Sequence, residues 1–302
     1  MEYELYYGYI HNELQTRIDT CKDILGTREL NFRKEKLRRA YLELVKKNEI
    51  NDAFYSIVHE IKTLLLLKNM GEVKISIDSQ SQPGPDFTYL NKYKIECVSC
   101  TLGTGNNLTK LLDSGFQNYD GKLYDNSEIF RQIALRFTAA IEAKRVKLKK
   151  DLLDGYINEK DPLIIFLDIA RFYFGFNAGE YCEKFSKILI GRGKKQIFID
   201  SNGNQFGQAS FEYIPTIKNN NESDVDVSIF SNLEYNIISA IIVFGAEIKE
   251  DYDCNNTVVF LNPLAKNQIK VRDVWELPYW KINNRFEYIP RIKGKEQKIN
   301  MW

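Results

Sequence analysis

Apolar and polar positions recur with two different periods along this chain, and the change of period divides it into helices and strands. The first seventy residues read as helical. Lys34–Lys47 mixes Lys, Arg and Glu with Leu37, Tyr41, Leu42 and Leu44, an amphipathic pattern with a basic outer face. Asn51 and Asp52 offer a cap for a second helix, running from about Ala53 to Asn69. Phe54, Ile57, Val58, Ile61, Leu64 and Leu65 give that helix a buried stripe, and Gly71 follows its end as a stop signal. Ser127–Asp154 predicts a long helix lined by Ile129, Ile133, Leu135, Phe137, Ala140, Ile141 and Leu148, with a basic end at Lys144–Lys150.

Between and after these helices the period drops to two. Val73–Ile77 alternates apolar and polar residues, and Gln82-Pro83-Gly84-Pro85 breaks the chain. Asp86–Leu90 and Tyr93–Cys100 predict a hairpin around Asn91-Lys92. Pro162–Ile169 is a short continuous apolar run, the mark of a strand covered on both faces. Phe230–Glu247 and Thr257–Leu261 are two more strand candidates. Gly103–Asn126 reads as a long surface loop with a short helix at Leu108–Leu112, and Lys218–Asp226 as an exposed acidic loop. Gly191–Lys195 reads as an exposed basic turn, and Arg291–Lys298 as a basic tail. The order predicts an α/β or α+β fold, a mixed sheet flanked by helices. Residues 1–50 form an N-terminal helical extension and residues 51–302 the main α/β domain.

Composition narrows the function classes. The 302 residues are 44% hydrophobic, enough for a sizeable core. With 42 basic and 41 acidic side chains the net charge is +1, so any polyanion-binding surface is a local patch. The five cysteines are odd in number, which fits a reducing, cytoplasmic compartment. Cys97 and Cys100 form a lone CxxC without a second pair, and the only histidines are His11 and His59, which argues against structural zinc. On a strand these two cysteines point to opposite faces as buried thiols. The apolar runs are too short to span a bilayer, so no membrane association is expected. No Gly-rich phosphate loop or Ser/His/Asp motif is readable.

Three acids carry the candidate chemistry. Glu60 lies mid-helix, Asp86 follows the Pro-Gly-Pro break, and Glu96 sits inside the apolar strand Tyr93–Val98. A carboxylate in an apolar strand is costly unless it is paired or binds a cation. Two or three such groups suit Mg²⁺, a hard ion that prefers oxygen ligands. The plainer alternatives are a salt bridge from Glu96 to Arg136 or Lys144, and a turn role for Asp86.

A helix bearing a Glu, then a strand, Pro85-Asp86, a hairpin turn and Glu96 resembles the core of the PD-(D/E)XK nuclease superfamily over about fifty residues. The resemblance implies a restriction-endonuclease-like fold, a Mg²⁺ or Mn²⁺ cofactor held by Asp86, Glu96 and Glu60, and DNA or RNA as partner. It also implies metal-dependent hydrolysis of phosphodiester bonds. One position departs from the family pattern. The lysine expected two residues after the strand acid is replaced by Val98. Lys144 on the long helix is the first candidate to supply it, and Lys94, on the same strand face as Glu96, is the second. If neither serves, the alternative is a catalytically inactive nuclease fold that binds nucleic acid or a protein partner. A homo-oligomer is compatible with either reading.

The hairpin turn decides whether the acids can meet. A two-residue turn at Asn91-Lys92 pairs Asp86 near Cys97 and sends it to the face opposite Glu96, whereas a three-residue loop, a bulge or a bend at Pro85-Asp86 brings both acids to one face.

Overall fold

The computed structural model describes residues 2–47, 51–75, 84–101, 127–172, 185, 187–197, 199–205, 210–253, 256–269, 279–282, 288–292 and 295–296. Three helices open the chain: α1 (Glu2–Arg17), α2 (Lys22–Lys47) and α3 (Asp52–Met70). Gly26 interrupts α2 at φ 67°, a backbone conformation in which a side chain would be strained. Asn51 caps α3, its side-chain oxygen accepting the Phe54 N–H at 2.7 Å, and its amide nitrogen donates to the Ala40 carbonyl at 3.1 Å. One side chain therefore closes α3 and ties it to α2.

Strands β1 (Val73–Ile75), β2 (Phe87–Tyr89) and β3 (Tyr93–Ser99) follow, and then helix α4 (Ser127–Leu153) and β4 (Leu163–Asp168). Later strands are β5 (Arg192–Gln196), β6 (Ser210–Tyr213), β7 (Thr216–Lys218), β8 (Asp224–Asp226), β9 (Ile238–Phe244) and β10 (Thr257–Leu261). The last three are β11 (Tyr279–Ile282), β12 (Tyr288–Ile292) and β13 (Lys295–Glu296). One mixed sheet has the order β1-β2-β3-β4-β9-β10-β11-β12-β13, and β5-β6 and β7-β8 form two small separate ribbons. In its middle β3, β4 and β9 run parallel, each with buried side chains on both faces of the sheet.

The pleat sends alternate residues into two cores. Ile95, Cys97, Ile164, Phe166, Ile242 and Phe244 pack under α1–α3, together with Leu37, Leu44, Phe54 and Leu64. Ile165, Leu167, Ile241, Val243 and Phe260 pack on the other face, with Phe137, Ile141 and Leu148 of α4. The expected mixed sheet flanked by helices is present. The N-terminal helices are part of its first core, with Tyr7, Leu14, Leu37 and Leu44 buried alongside sheet residues. Cys97 and Cys100 fall in opposite cores as free buried thiols, as the strand period predicts.

Several expected boundaries shift. The Phe230–Glu247 candidate contracts to β9, because two short 3₁₀ turns at Ile229–Ser231 and Leu233–Tyr235 occupy its first half. The expected loop Lys218–Asp226 is a turn between β7 and β8, whose ends pair through Lys218 and Asp224, 3.0 Å apart. The expected basic turn at Gly191–Lys195 is mostly strand β5, paired antiparallel with β6. The basic tail carries β13 and the end of β12. The loop Gly103–Asn126, with its expected helix at Leu108–Leu112, lies outside the described residues, as do Ser76, Ile77, Gln82 and Pro83. Among the described residues no helix is long and apolar enough to cross a membrane.

Candidate functional site

The β2–β3 hairpin closes through the three residues Leu90, Asn91 and Lys92, because Tyr89 pairs with Tyr93 and Phe87 with Ile95. Leu90 and Asn91 take positive φ values of 50° and 55° to make the loop. Continued by one residue, this register sets Asp86 opposite Glu96. With Ile95 and Cys97 committed to the core under α3, Glu96 faces α4. Asp86 curls at the strand entry, and its Oδ2 accepts the Cys97 N–H at 2.7 Å.

Helix α4 completes the site. Its apolar stripe docks on the sheet, and Lys144 and Lys147 extend beside that stripe toward the hairpin. The Lys144 ammonium stands 2.6 Å from Glu96 Oε2 and 3.5 Å from Asp86 Oδ2. Lys147 donates to the other Glu96 oxygen, Oε1, and to the Gly84 carbonyl at 2.6 Å. One turn further on, Asp151 Oδ2 lies 3.3 Å from the Lys147 ammonium. Asp151 is buried, and among the described residues that oxygen accepts no hydrogen bond.

The electrostatics follow from this crowding. Glu96 is 0% exposed. Burial and then the Asp86 charge push its carboxyl up to about 7, against the pull of Lys144 and Lys147. Burial also pushes the Asp86 carboxyl up, but Lys144, the Cys97 N–H, Lys147 and Arg33 outweigh it, and the net shift is down. Burial alone would weaken the charge on Lys144, yet the two acids raise its affinity for the proton. Two carboxylates in one site thus part company. Asp86 is held ionised and Glu96 titrates near neutrality, the division expected when like charges share a partly dry site.

Of the five residues singled out in the sequence, Asp86, Glu96 and Lys144 come together. Glu60 does not join them. Its carboxylate is held by Arg33 at 3.2 Å and by Lys36 at 3.1 Å, on the α2 side. Arg33 is buried there, 2.9 Å from Glu29 and 5.6 Å over the Phe87 ring, so it satisfies Glu60 before any cation could. Lys94 shares the strand face of Glu96, but its ammonium turns to Asp161 at 3.6 Å and to the Thr88 hydroxyl at 3.4 Å. The reason is local. The Lys94 N–H bonds the Pro162 carbonyl, which brings Asp161 within reach. Among the described residues, no three His, Cys, Asp or Glu side chains gather closely enough to hold a metal ion by themselves.

Lys147 and Asp151 were not singled out by sequence reasoning. For Asp151 the signal was present in its spacing. Ile141, Lys144, Leu148 and Asp151 recur at steps of three and four, so two charged residues sit on the stripe that faces the sheet.

A second buried polar cluster lies on the other face of the sheet. His59 Nε2 is 3.0 Å from the Phe166 carbonyl, which can only accept, so that nitrogen carries the proton. Nδ1 then accepts from the Tyr252 hydroxyl at 2.7 Å. Burial drives His59 toward its neutral form. Asp168 at the end of β4 accepts from Ser99 at 3.3 Å, and burial raises its carboxyl. Lys62, pulled down to about 8 by burial, donates to the Glu247 carbonyl. These groups satisfy one another inside the core, and His59 is a packed histidine.

Comparison with known proteins gives no match: no family model, no curated protein and no solved structure is significantly similar to the chain.

Proposed function

We propose that the protein is a metal-dependent nuclease of the PD-(D/E)XK type, hydrolysing phosphodiester bonds of DNA or RNA. The observation that carries this reading is the position of Lys144 between Asp86 and Glu96. It supplies from helix α4 the ammonium that Val98 cannot supply from the strand. The donor set fits Mg²⁺ or Mn²⁺, because Asp86 and Glu96 offer hard oxygens on one face and already gather cations around them. Asp86 and Glu96 would hold such an ion, which would supply Lewis acidity toward water and the phosphate. Lys144 stabilises the charge that develops on the phosphate oxygens and keeps Asp86 ionised. Glu96 must be ionised to hold such an ion, so the ion competes with a proton that burial makes the carboxyl hold more tightly than usual, and loading improves as pH rises. The free thiols of Cys21, Cys97 and Cys100 favour a reducing, cytoplasmic setting.

A second reading rests on a different observation. Both oxygens of Glu96 are bonded to lysine ammonium groups, an arrangement that also suits a catalytically inactive nuclease fold binding nucleic acid or a protein partner. The test is cleavage of plasmid DNA, single-stranded DNA and RNA with Mg²⁺ or Mn²⁺. The nuclease reading expects product that disappears with a chelator and in Glu96→Gln, with the circular dichroism spectrum unchanged. A salt-sensitive gel shift without product supports the second reading instead.

A further inference from the structure

The nuclease reading gives the Lys147 ammonium no role in the reaction. Three oxygens surround it: Glu96 Oε1, the Gly84 carbonyl at 2.6 Å and Asp151 Oδ2 at 3.3 Å. Two are carboxylate oxygens and one is a carbonyl, the same hard donors that a divalent cation selects. Asp151 sits on the apolar stripe of α4, buried, and its Oδ2 accepts no hydrogen bond among the described residues. A buried carboxylate is expensive to keep there unless something uses its charge. Its spacing from Lys147 is i,i+4 on one helix, so the ammonium can lean from Glu96 to Asp151 by side-chain rotation alone.

We propose that Lys147 is a tethered cation that occupies the Glu96 carboxylate in place of a divalent ion, and that Asp151 is the seat to which its ammonium withdraws when that ion binds. The inference rests on the reading of Asp86 and Glu96 as cation ligands. It adds a control on their affinity. Lys144 stays with both acids, whereas Lys147 moves between two positions on one helix face. While Lys147 sits on Glu96, a divalent ion must displace a charge of the same sign from the same carboxylate. When Asp151 takes the ammonium, the positive charge remains accommodated and Glu96 Oε1 is freed. Asp151 thus sets how readily the site loads without touching the bound ion.

The inference is tested on the full chain without nucleic acid, by counting free Mn²⁺ with electron paramagnetic resonance during titration. Lys147→Met should tighten Mn²⁺ binding by about tenfold or more, because a nearby positive charge is gone. Lys147→Gln, which keeps hydrogen-bonding capacity for Gly84 and Glu96, should tighten it in the same direction and covers the case in which the methionine variant does not fold. Asp151→Asn should weaken binding, because Lys147 is then left with Glu96 as its one acid in the seat. In the Lys147→Gln background, Asp151→Asn should have little effect. Equal affinity for wild type and Lys147→Gln, with binding lost in Glu96→Gln, overturns the role of Lys147 and leaves the cation site standing. Weakening by Asp151→Asn in the Lys147→Gln background makes Asp151 a ligand and overturns its role as a withdrawal seat. No Mn²⁺ bound by folded wild type or by either Lys147 variant overturns the cation site itself, and the inference with it.

Discussion

The Lys144 ammonium stands 2.6 Å from Glu96 Oε2, joining helix α4 to strand β3 through a carboxylate that has no contact with solvent. Removing one member of a buried pair leaves the other uncompensated, which typically costs ~3 kcal/mol or more. Lys144→Met is therefore expected to lower the urea midpoint of unfolding and to push the Glu96 carboxyl still higher. Cleavage should fall by about two orders of magnitude or more if Lys144 stabilises the transition state. Loss of stability with cleavage unchanged would confine Lys144 to a structural role.

Glu96 gives stability a definite pH dependence. Its folded pKa of about 7 lies above the ordinary 4.5, so the native protein holds the proton more tightly than the unfolded chain does. The stability it contributes is complete below about 4.5 and is lost as pH rises through about 7. Asp86 works in the opposite sense. Its carboxyl is depressed, so its contribution is present above the ordinary range and is lost in acid. Thermal melts of wild type and Glu96→Gln from pH 4 to pH 8 (about the range set by these groups) should differ in slope. The glutamine variant should lose the decline between 4.5 and about 7, and parallel curves would refute the shift.

Asp86→Asn isolates the coupling between the two acids. The change keeps an oxygen for the Cys97 N–H and removes the charge that repels Glu96. It also leaves Lys144 to Glu96 alone. The Glu96 carboxyl should move down toward the ordinary glutamate range, as read from carbon-13 chemical shifts of labelled glutamate. An unmoved Glu96 would mean that burial, and not Asp86, sets its value.

The His59 cluster should behave as structure and not as chemistry. Tyr252→Phe keeps the ring that stacks on Phe244 at 4.1 Å and removes the hydroxyl that satisfies His59 Nδ1. An unsatisfied buried acceptor costs about 1–3 kcal/mol. Chemical denaturation should show that loss, while cleavage measured well below the melting temperature stays at the wild-type level. A large drop in cleavage with stability intact would move this cluster into the functional site.

Helices and central strands were legible because one face of each is apolar and the period is unambiguous. Thr257–Leu261 is β10 as expected, and Pro162–Ile169 frames β4. The small ribbons β5–β6 and β7–β8 were not legible, since residues such as Lys218 and Asp224 are exposed and leave no periodic signature. The candidate site was readable as residue types. Its assembly hinged on the length of one turn, and the three-residue loop at Leu90–Lys92 puts the acids together. Glu60 misled because a mid-helix acid looks the same whether its partner is a cation site or a buried arginine. Lys147 was hidden in a basic helix end that reads as a solvated surface.

The bond between His59 and Tyr252 spans 193 residues of chain. During synthesis, helix α3 leaves the ribosome long before the segment that satisfies it exists. At ~5–20 residues per second, the wait is roughly 10–40 s. Through that interval the apolar stripe of α3 and a polar histidine meant for the interior wait for the strands that bury them. Leu37 and Leu44 of α2 share one core with Phe54 and Leu64 of α3 and with the strands that follow. Contacts of α3 with the earlier helices, such as Tyr7 edge-on to Phe54 at 5.7 Å, are therefore native contacts open to the growing chain before the sheet exists.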